Sequence, residues 1–186
     1  MVHIMNQGFA RAATSFTKFI GKEVKITNTK SFIIRHTDDF SYVSEETGNL
    51  FVLVTEIIGD LFGKSYLIFN DKESKDVFNM AANGSLAESM KEAMLMEIDN
   101  IISASVISEL SDALKISIYG DVPRLEKLEG TQLQEFISVE DDNTDPTSVI
   151  LTNTTFQFGH NQEIHPQFIW KLSTKIFEIV PAEQLA

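Results

Sequence analysis

The sequence contains no cysteine. Disulfide frameworks, cysteine-based zinc sites and thiol catalysis are thereby excluded. Basic residues are scarce: 15 Lys and Arg stand against 27 Asp and Glu, a net charge of −12. A nucleic-acid binder needs a basic face to replace counterions on phosphates, so this balance argues against nucleic acid. It argues equally against docking on an anionic membrane. No stretch of about 18 uncharged apolar residues occurs, and no membrane span is expected. The N-terminal region lacks the apolar run of a signal peptide, because Arg11 and Lys18 interrupt it. A soluble, cytoplasmic protein is the expectation. A P-loop, a dinucleotide fingerprint and a Gly-x-Ser-x-Gly elbow are also missing.

What is present suffices for one domain. The chain has 186 residues, of which 43% are hydrophobic and 23% charged. It can therefore bury a core and is not a disordered tail. The first 94 residues carry 10 basic and 12 acidic side chains; the remaining 92 carry 5 and 15. The acidic second half suits a solvated surface, or a basic patch on a partner.

Residues 5–20 read as a helix stopped by Gly21. Strands are expected at 24–27, 32–35, 49–58 and 65–69, where β-branched and aromatic residues cluster between turn signals. Asn70 or Asp71 can cap a helix holding Val77, Phe78 and Met80, ending near Asn83-Gly84. Ser85 then caps a long helix over about 86–114, with Glu88 completing a capping box. A strand follows at 116–119. Residues 121–146 read as irregular, with a short helix near 132–137. Strands at 148–158 and 167–172 pair through the 159–166 connection. The segment 174–185 reads as either strand or helical turn. The mix predicts an α+β fold with a mostly antiparallel sheet.

Metal sites are not expected. The stretch Glu140-Asp141-Asp142-Asn143-Thr144-Asp145-Pro146 lacks the central Gly and distal Glu of a calcium loop and reads as a solvated turn. His160 and His165 have no third partner in view. Met90, Met94 and Met96 read as core or gap filler. Trp170 reads as a core strand residue.

The long helix has two unlike faces. At about 100° per residue, Leu95, Ile98, Ile102, Val106, Leu110 and Ala113 form one apolar stripe, which must face the core. Opposite lie Glu97, Asn100, Ala104, Ser108 and Ser111. An ordinary solvated face favours Lys, Glu, Gln and Arg. Here one acid and one amide are followed only by small side chains, which lets another domain approach closely. Glu97 and Asn100 are three apart and project side by side.

Sliding the sequence by 94 residues lays the first helix on the second. Asn6 falls on Asn100, Ala10 on Ala104, Thr14 on Ser108 and Thr17 on Ser111. An apolar face of Ile4, Gly8, Ala12, Phe16 and Phe19 lies inside. A strand follows each copy at the same distance. The expected organisation is therefore a single domain, residues 1–186, built from two degenerate repeats over about 3–94 and 97–186. Two long pseudo-symmetric helices would share one face of a common sheet. His3 stands where the second copy has Glu97, so the first site, His3 and Asn6, is degenerate.

Glu97-Ile98-Asp99-Asn100-Ile101 is similar to the Glu-Ile-Gly-Asn-Ile motif of the CheC/CheX/FliY phosphatases of bacterial chemotaxis. Ala12-Ala13-Thr14 followed by Phe19-Ile20-Gly21-Lys22-Glu23-Val24 resembles the Ala-Ala-Thr…Leu-Leu-Gly-Lys-x-Val stretch of that family. Gly63-Lys64-Ser65-Tyr66-Leu67-Ile68-Phe69 resembles its Gly-x-x-x-Leu-x-Phe unit. The resemblance spans about residues 3–120. It implies an α/β sandwich and hydrolysis of phospho-aspartate on CheY-type response-regulator receiver domains. With His3 breaking the first motif, it implies one working site at Glu97 and Asn100, as in CheX, which acts as a homodimer. Ala104, Ser108 and Ser111 would form the partner-docking face. Asp99, where the family often has Gly, is a departure that bears on docking. No intrinsic cofactor is implied; the partner supplies Mg2+.

The chemistry suits these side chains. Acyl-phosphate hydrolysis needs a water in line with phosphorus and stabilisation of a loose transition state. An Asn amide offers a donor and an acceptor on a short stem and holds water without titrating. Glu97 can pair with the receiver's Lys and set register; general-base action is its competing role. Two other readings stay open. One is a non-catalytic receiver-binding or flagellar-switch-like adaptor of the same fold. The other is a structural homodimer joined through sheet edges or the 148–158 strand.

Overall fold

The computed structural model describes residues 1–34, 47–81, 86–139, 147–159 and 162–179. Helix α1 spans Val2–Ile20 and ends where Gly21 turns left-handed at φ 72°. Glycine adopts that conformation without strain, and its amide closes on the Thr17 carbonyl. Strand β1, Val24–Ile34, is one continuous strand rather than the two expected pieces. The register shifts between Asn28 and Lys30, where the sequence turns polar, but the pairing continues through this bulge. Strands β2 (Asn49–Gly59) and β3 (Gly63–Asn70) form a hairpin.

Helix α2, Asp71–Ala81, opens on a reciprocal cap. The Glu73 amide donates to Asn70 Oδ1 at 2.9 Å, and the Asn70 amide donates to Glu73 Oε2 at 3.1 Å. Helix α3 spans Glu88–Leu114. Its N-cap is Ala87, with no side-chain cap, so it starts later than the expected Ser85 box. Residues 82–85, with Ser85 and the helix end assigned to Asn83-Gly84, lie outside the described residues.

Strand β4 (Ile118–Gly120) is followed by β5 (Arg124–Glu129), in a region the sequence marks as irregular. A 3-10 turn at Gly130–Gln132 leads into helix α4, Leu133–Val139. Strands β6 (Thr147–Phe158), β7 (Gln162–Ile164) and β8 (Gln167–Ser173) follow, and α5 (Ile176–Ile179) is a helical turn within the 174–185 segment, of which 180–185 lie outside the described residues. The acidic stretch 140–146 and His160 lie outside the described residues.

The strands of the described residues join one antiparallel sheet in the order β1-β6-β8-β3-β2-β4, with β5 also on β2 and β7 on β6. The order reads the same from either edge when β1, β2 and β3 are exchanged for β4, β6 and β8. Strand β6 is interior, paired on both sides by β1 and β8, so the 148–158 strand offers no free edge for association. Helices α1, α2 and α3 cover one face over a core that includes Phe9, Phe16, Leu95, Ile98, Ile102, Phe168 and Trp170. Helix α4 covers part of the other face, where Leu133 and Ile137 pack on Val52, Tyr66, Val149 and Ile169. Strand β2 alternates Leu53 and Ile57 toward one layer with Val52 and Val54 toward the other, which explains its nearly unbroken apolar run.

Three side chains expected in the core are exposed. Phe19 and Met90 keep 44% and 58% of their surface. Both line a groove where the end of α1 meets the start of α3. Ala113 is exposed in the last turn of α3. Met94 and Trp170 are buried as expected, and Met96 packs partly buried against the core.

Candidate functional site

Helices α1 and α3 lie side by side and run antiparallel. Gly8 meets Val106 so closely that a Cβ there would fall 2.6 Å from the Val106 Cα. At the other end of the pair, Phe19 and Ile20 share a groove with Met90, Met94 and Glu97. Only glycine permits the first approach, and the small residues Ala12 and Ala13 continue it. Arg11 Nη1 reaches Glu109 Oε1 at 3.2 Å across the outer seam.

Glu97 and Asn100 are both exposed on α3. Among the described residues, no hydrogen bond or ion pair occupies either side chain. Ala104 is exposed one turn further along, and Ser108 is half-buried. The Ser111 hydroxyl donates to the Ile116 carbonyl, closing the turn after the helix. Ser111 therefore serves the local fold at the end of the expected docking face. His3 and Asn6 are exposed on α1. Because the helices are antiparallel, they sit at the opposite end of the pair from Glu97 and Asn100. The structure thus gathers Glu97, Asn100 and Ala104 on one surface and keeps His3 and Asn6 apart from them.

The N-terminal turns of α3 are tied to β5. Lys127 Nζ contacts Glu88 Oε1 at 3.2 Å and Glu92 Oε1 at 2.8 Å. The hydrogen bond from Lys127, and then that from Lys91, holds the Glu88 carboxyl below its ordinary range. A groove of about 370 Å³ opens beside Glu97, lined by Phe19, Ile20, Leu86, Met90, Ala93 and Met94. The acid thus stands at the rim of an apolar hollow.

Asp99 corrects an expectation. It is fully buried under α3 and is not part of the docking face. At about 200° from Glu97 around the helix, it belongs to the sheet side. Its Oδ2 accepts from Thr55 Oγ1 at 2.6 Å, and its Oδ1 accepts from Ser103 Oγ at 3.1 Å. Ser103 Oγ lies 3.4 Å from Ser65 Oγ. Thr55 and Ser65 are cross-strand partners, so the four residues form one buried polar cluster. Burial pushes the Asp99 carboxyl up to about 6, against the pull of its two hydroxyl donors. Its wheel position is the sequence signal for this burial, and its departure from Gly bears on packing beneath α3.

One carboxylate and one amide do not make a metal site, and no cluster of metal-ligating side chains occurs among the described residues. His165 is exposed, with Nδ1 at 3.1 Å from Thr155 Oγ1. No helix among the described residues is long and apolar enough to cross a membrane.

No family model matches the chain, and no curated protein matches it in sequence. Its shape matches solved structures. Thermotoga maritima FliY aligns over 95% of this chain and 91% of its own, at 20% identity and a TM-score of 0.75. The FliM middle domain of Vibrio alginolyticus aligns over 96% and 99%, at 8% identity and 0.63. CheX in a CheX–CheY–BeF3–Mg2+ complex from Borrelia burgdorferi aligns over 89% and 96%, at 13% identity and 0.54. These likenesses run through nearly the whole sheet and both long helices, and the chain has the fold of the CheC/CheX/FliY family.

Proposed function

We propose that this chain accelerates hydrolysis of phospho-aspartate on a CheY-type receiver domain. Asn100 orients the attacking water, and Glu97 pairs with the receiver's Lys. The observation that carries the reading is the pair itself: an acid and an amide, adjacent, exposed and unengaged, on a helix face of small side chains. An amide held there can fix a water in line with phosphorus without changing charge. In this reading the Mg2+ of the reaction comes with the receiver. The likeness to a CheX solved with CheY supports the choice of partner. The site at His3 and Asn6 is inactive in this reading, since an imidazole replaces the register-setting acid. The palindromic strand order supports an origin by internal duplication. A cytoplasmic location goes with such a partner, and a homodimer through the edge strand β1 is compatible with it.

The likeness to the FliM middle domain, and to FliM in a FliG–FliM complex from H. pylori, favours a second reading. In it the same fold binds a receiver or switch partner without catalysis. The deciding experiment is phosphate release from a metal-loaded, phosphorylated CheY-type receiver of the same genome, with wild type and Asn100→Ala in parallel. Acceleration by wild type alone supports the phosphatase. No acceleration with any receiver of that genome leaves the adaptor.

A further inference from the structure

We propose that Asp99 is a positioning residue for the Glu97–Asn100 face, and that gain or loss of a proton on its buried carboxyl resets α3 and alters how Asn100 is presented. Only the consequence for activity rests on the phosphatase reading.

Asp99 lies between the two site residues in sequence and on the opposite side of the helix. Its exposure is 0%, and among the described residues its carboxylate has two donors, Thr55 on β2 and Ser103 one turn along α3. The Thr55 bond joins the helix directly to the sheet. A rotation of α3 that moved Asn100 would stretch it. Among the described residues no cation pairs with the carboxylate. Of the groups facing it, β2 contributes Thr55, β3 contributes Ser65 and α3 contributes Ser103. From β4, Gly120 brings its backbone close to Thr55 Cγ2, with no charge. Of the charged residues on these elements and on β5, Glu56 pairs with Lys64, Arg124 with Glu126 and Glu109 with Arg11, while Glu97 and Asp112 are exposed on α3. His3 is exposed at the far end of the pair.

An ionised carboxylate has four acceptor positions and no donor. Buried with two hydroxyl donors alone, it is costly to keep charged. When it binds a proton, one oxygen becomes a donor. One of the two hydroxyls must then turn from donor to acceptor. Ser103 can do so by redirecting its proton toward Ser65, 3.4 Å away. The helix is thus pinned by two charge-assisted bonds in one state and by a rearranged chain in the other. The exchange falls near pH 6, where burial has placed this carboxyl.

The test follows the Asn100 side-chain amide by NMR in the full chain, from pH 5 to pH 8, in wild type, Asp99→Asn and Thr55→Val. Wild type should show an Asn100 shift with an inflection near pH 6. Asp99→Asn should remove it. Thr55→Val removes one donor to the charged form and should move the inflection upward, which a purely structural role would not do. A flat Asn100 resonance in wild type, or an inflection surviving in Asp99→Asn, overturns the proposal. These outcomes are independent of phosphate release. An inflection without phosphatase activity would keep the coupling and remove only the enzyme.

Discussion

Thr55 Oγ1 donates to Asp99 Oδ2 at 2.6 Å, and this bond ties the underside of the site helix to the second strand of the sheet. It also sets the sign of a stability effect. The folded carboxyl sits near 6, above the ordinary 3.8. A raised folded value means that the contribution is fully present below about pH 4 and is lost as pH rises through 6. Asp99→Asn is therefore expected to be more stable than wild type at pH 8, by about 1–3 kcal/mol. The difference should close near pH 4. Urea midpoints at the two pH values measure this, and an equal offset at both would sink it.

Gly8→Ala should be severe. The added carbon would meet the Val106 backbone at 2.6 Å, and neither helix has a flexible side chain there to move aside. A loss of about 2–4 kcal/mol is expected, read as a lowered melting temperature. A change below about 0.5 kcal/mol would mean that the helices separate easily.

Glu97→Lys should weaken binding to a phosphorylated receiver at least about tenfold, because attraction to a cation becomes repulsion. Stability should hardly change, since the residue is exposed and unengaged. Asn100→Ala should leave that binding intact. Titration calorimetry with a receiver trapped in its phosphorylated form separates the two variants, and equal affinities for wild type and Glu97→Lys would remove Glu97 from the interface.

His3→Glu tests the other end of the pair. It recreates a Glu-x-x-Asn spacing with Asn6 on α1, a full helix pair away from Asn100. Two independent sites add, so phosphate release should rise by about twofold at most. No rise, in a variant folded as wild type, would show that Asn6 cannot orient water.

Much of this was legible in the sequence, and the failures have physical reasons. The small-residue face of α3 and the strand-rich apolar runs of β2 and β3 are local signals, and they appear where expected. The cap of α2 at Asn70 and Glu73 is equally local. Strand β5 was not legible: Arg124-Leu125-Glu126-Lys127-Leu128-Glu129 is mostly charged, and pairing with β2 makes it a strand. Its alternation is that of a half-buried edge, which composition hides. Phe19 continues the apolar stripe of α1 in sequence and is exposed all the same, which only tertiary placement decides; Met90 lies about 20° from Glu97 around α3, so its exposure follows from the helical wheel. Asp99 was visible on the helical wheel as an inward residue, but its partners Thr55 and Ser65 lie 44 and 34 positions upstream. No local pattern connects them.

The strand order has a consequence for how the molecule is made. Strands β6 and β8 stand between β1 and β3, so the first three strands cannot form a continuous sheet by themselves. During synthesis the β2–β3 hairpin can close early. Among the described residues β1 finds its sheet partner when β6 arrives, and the central β3–β8 seam must wait for residues 167–173. Such distant pairings make folding slow and leave apolar strand faces uncovered in the meantime. The hairpin is a ready nucleus, while the middle of the sheet is the last part to be completed on the ribosome. Shortened chains that end before β8 would therefore expose the two flanks of an unfilled gap.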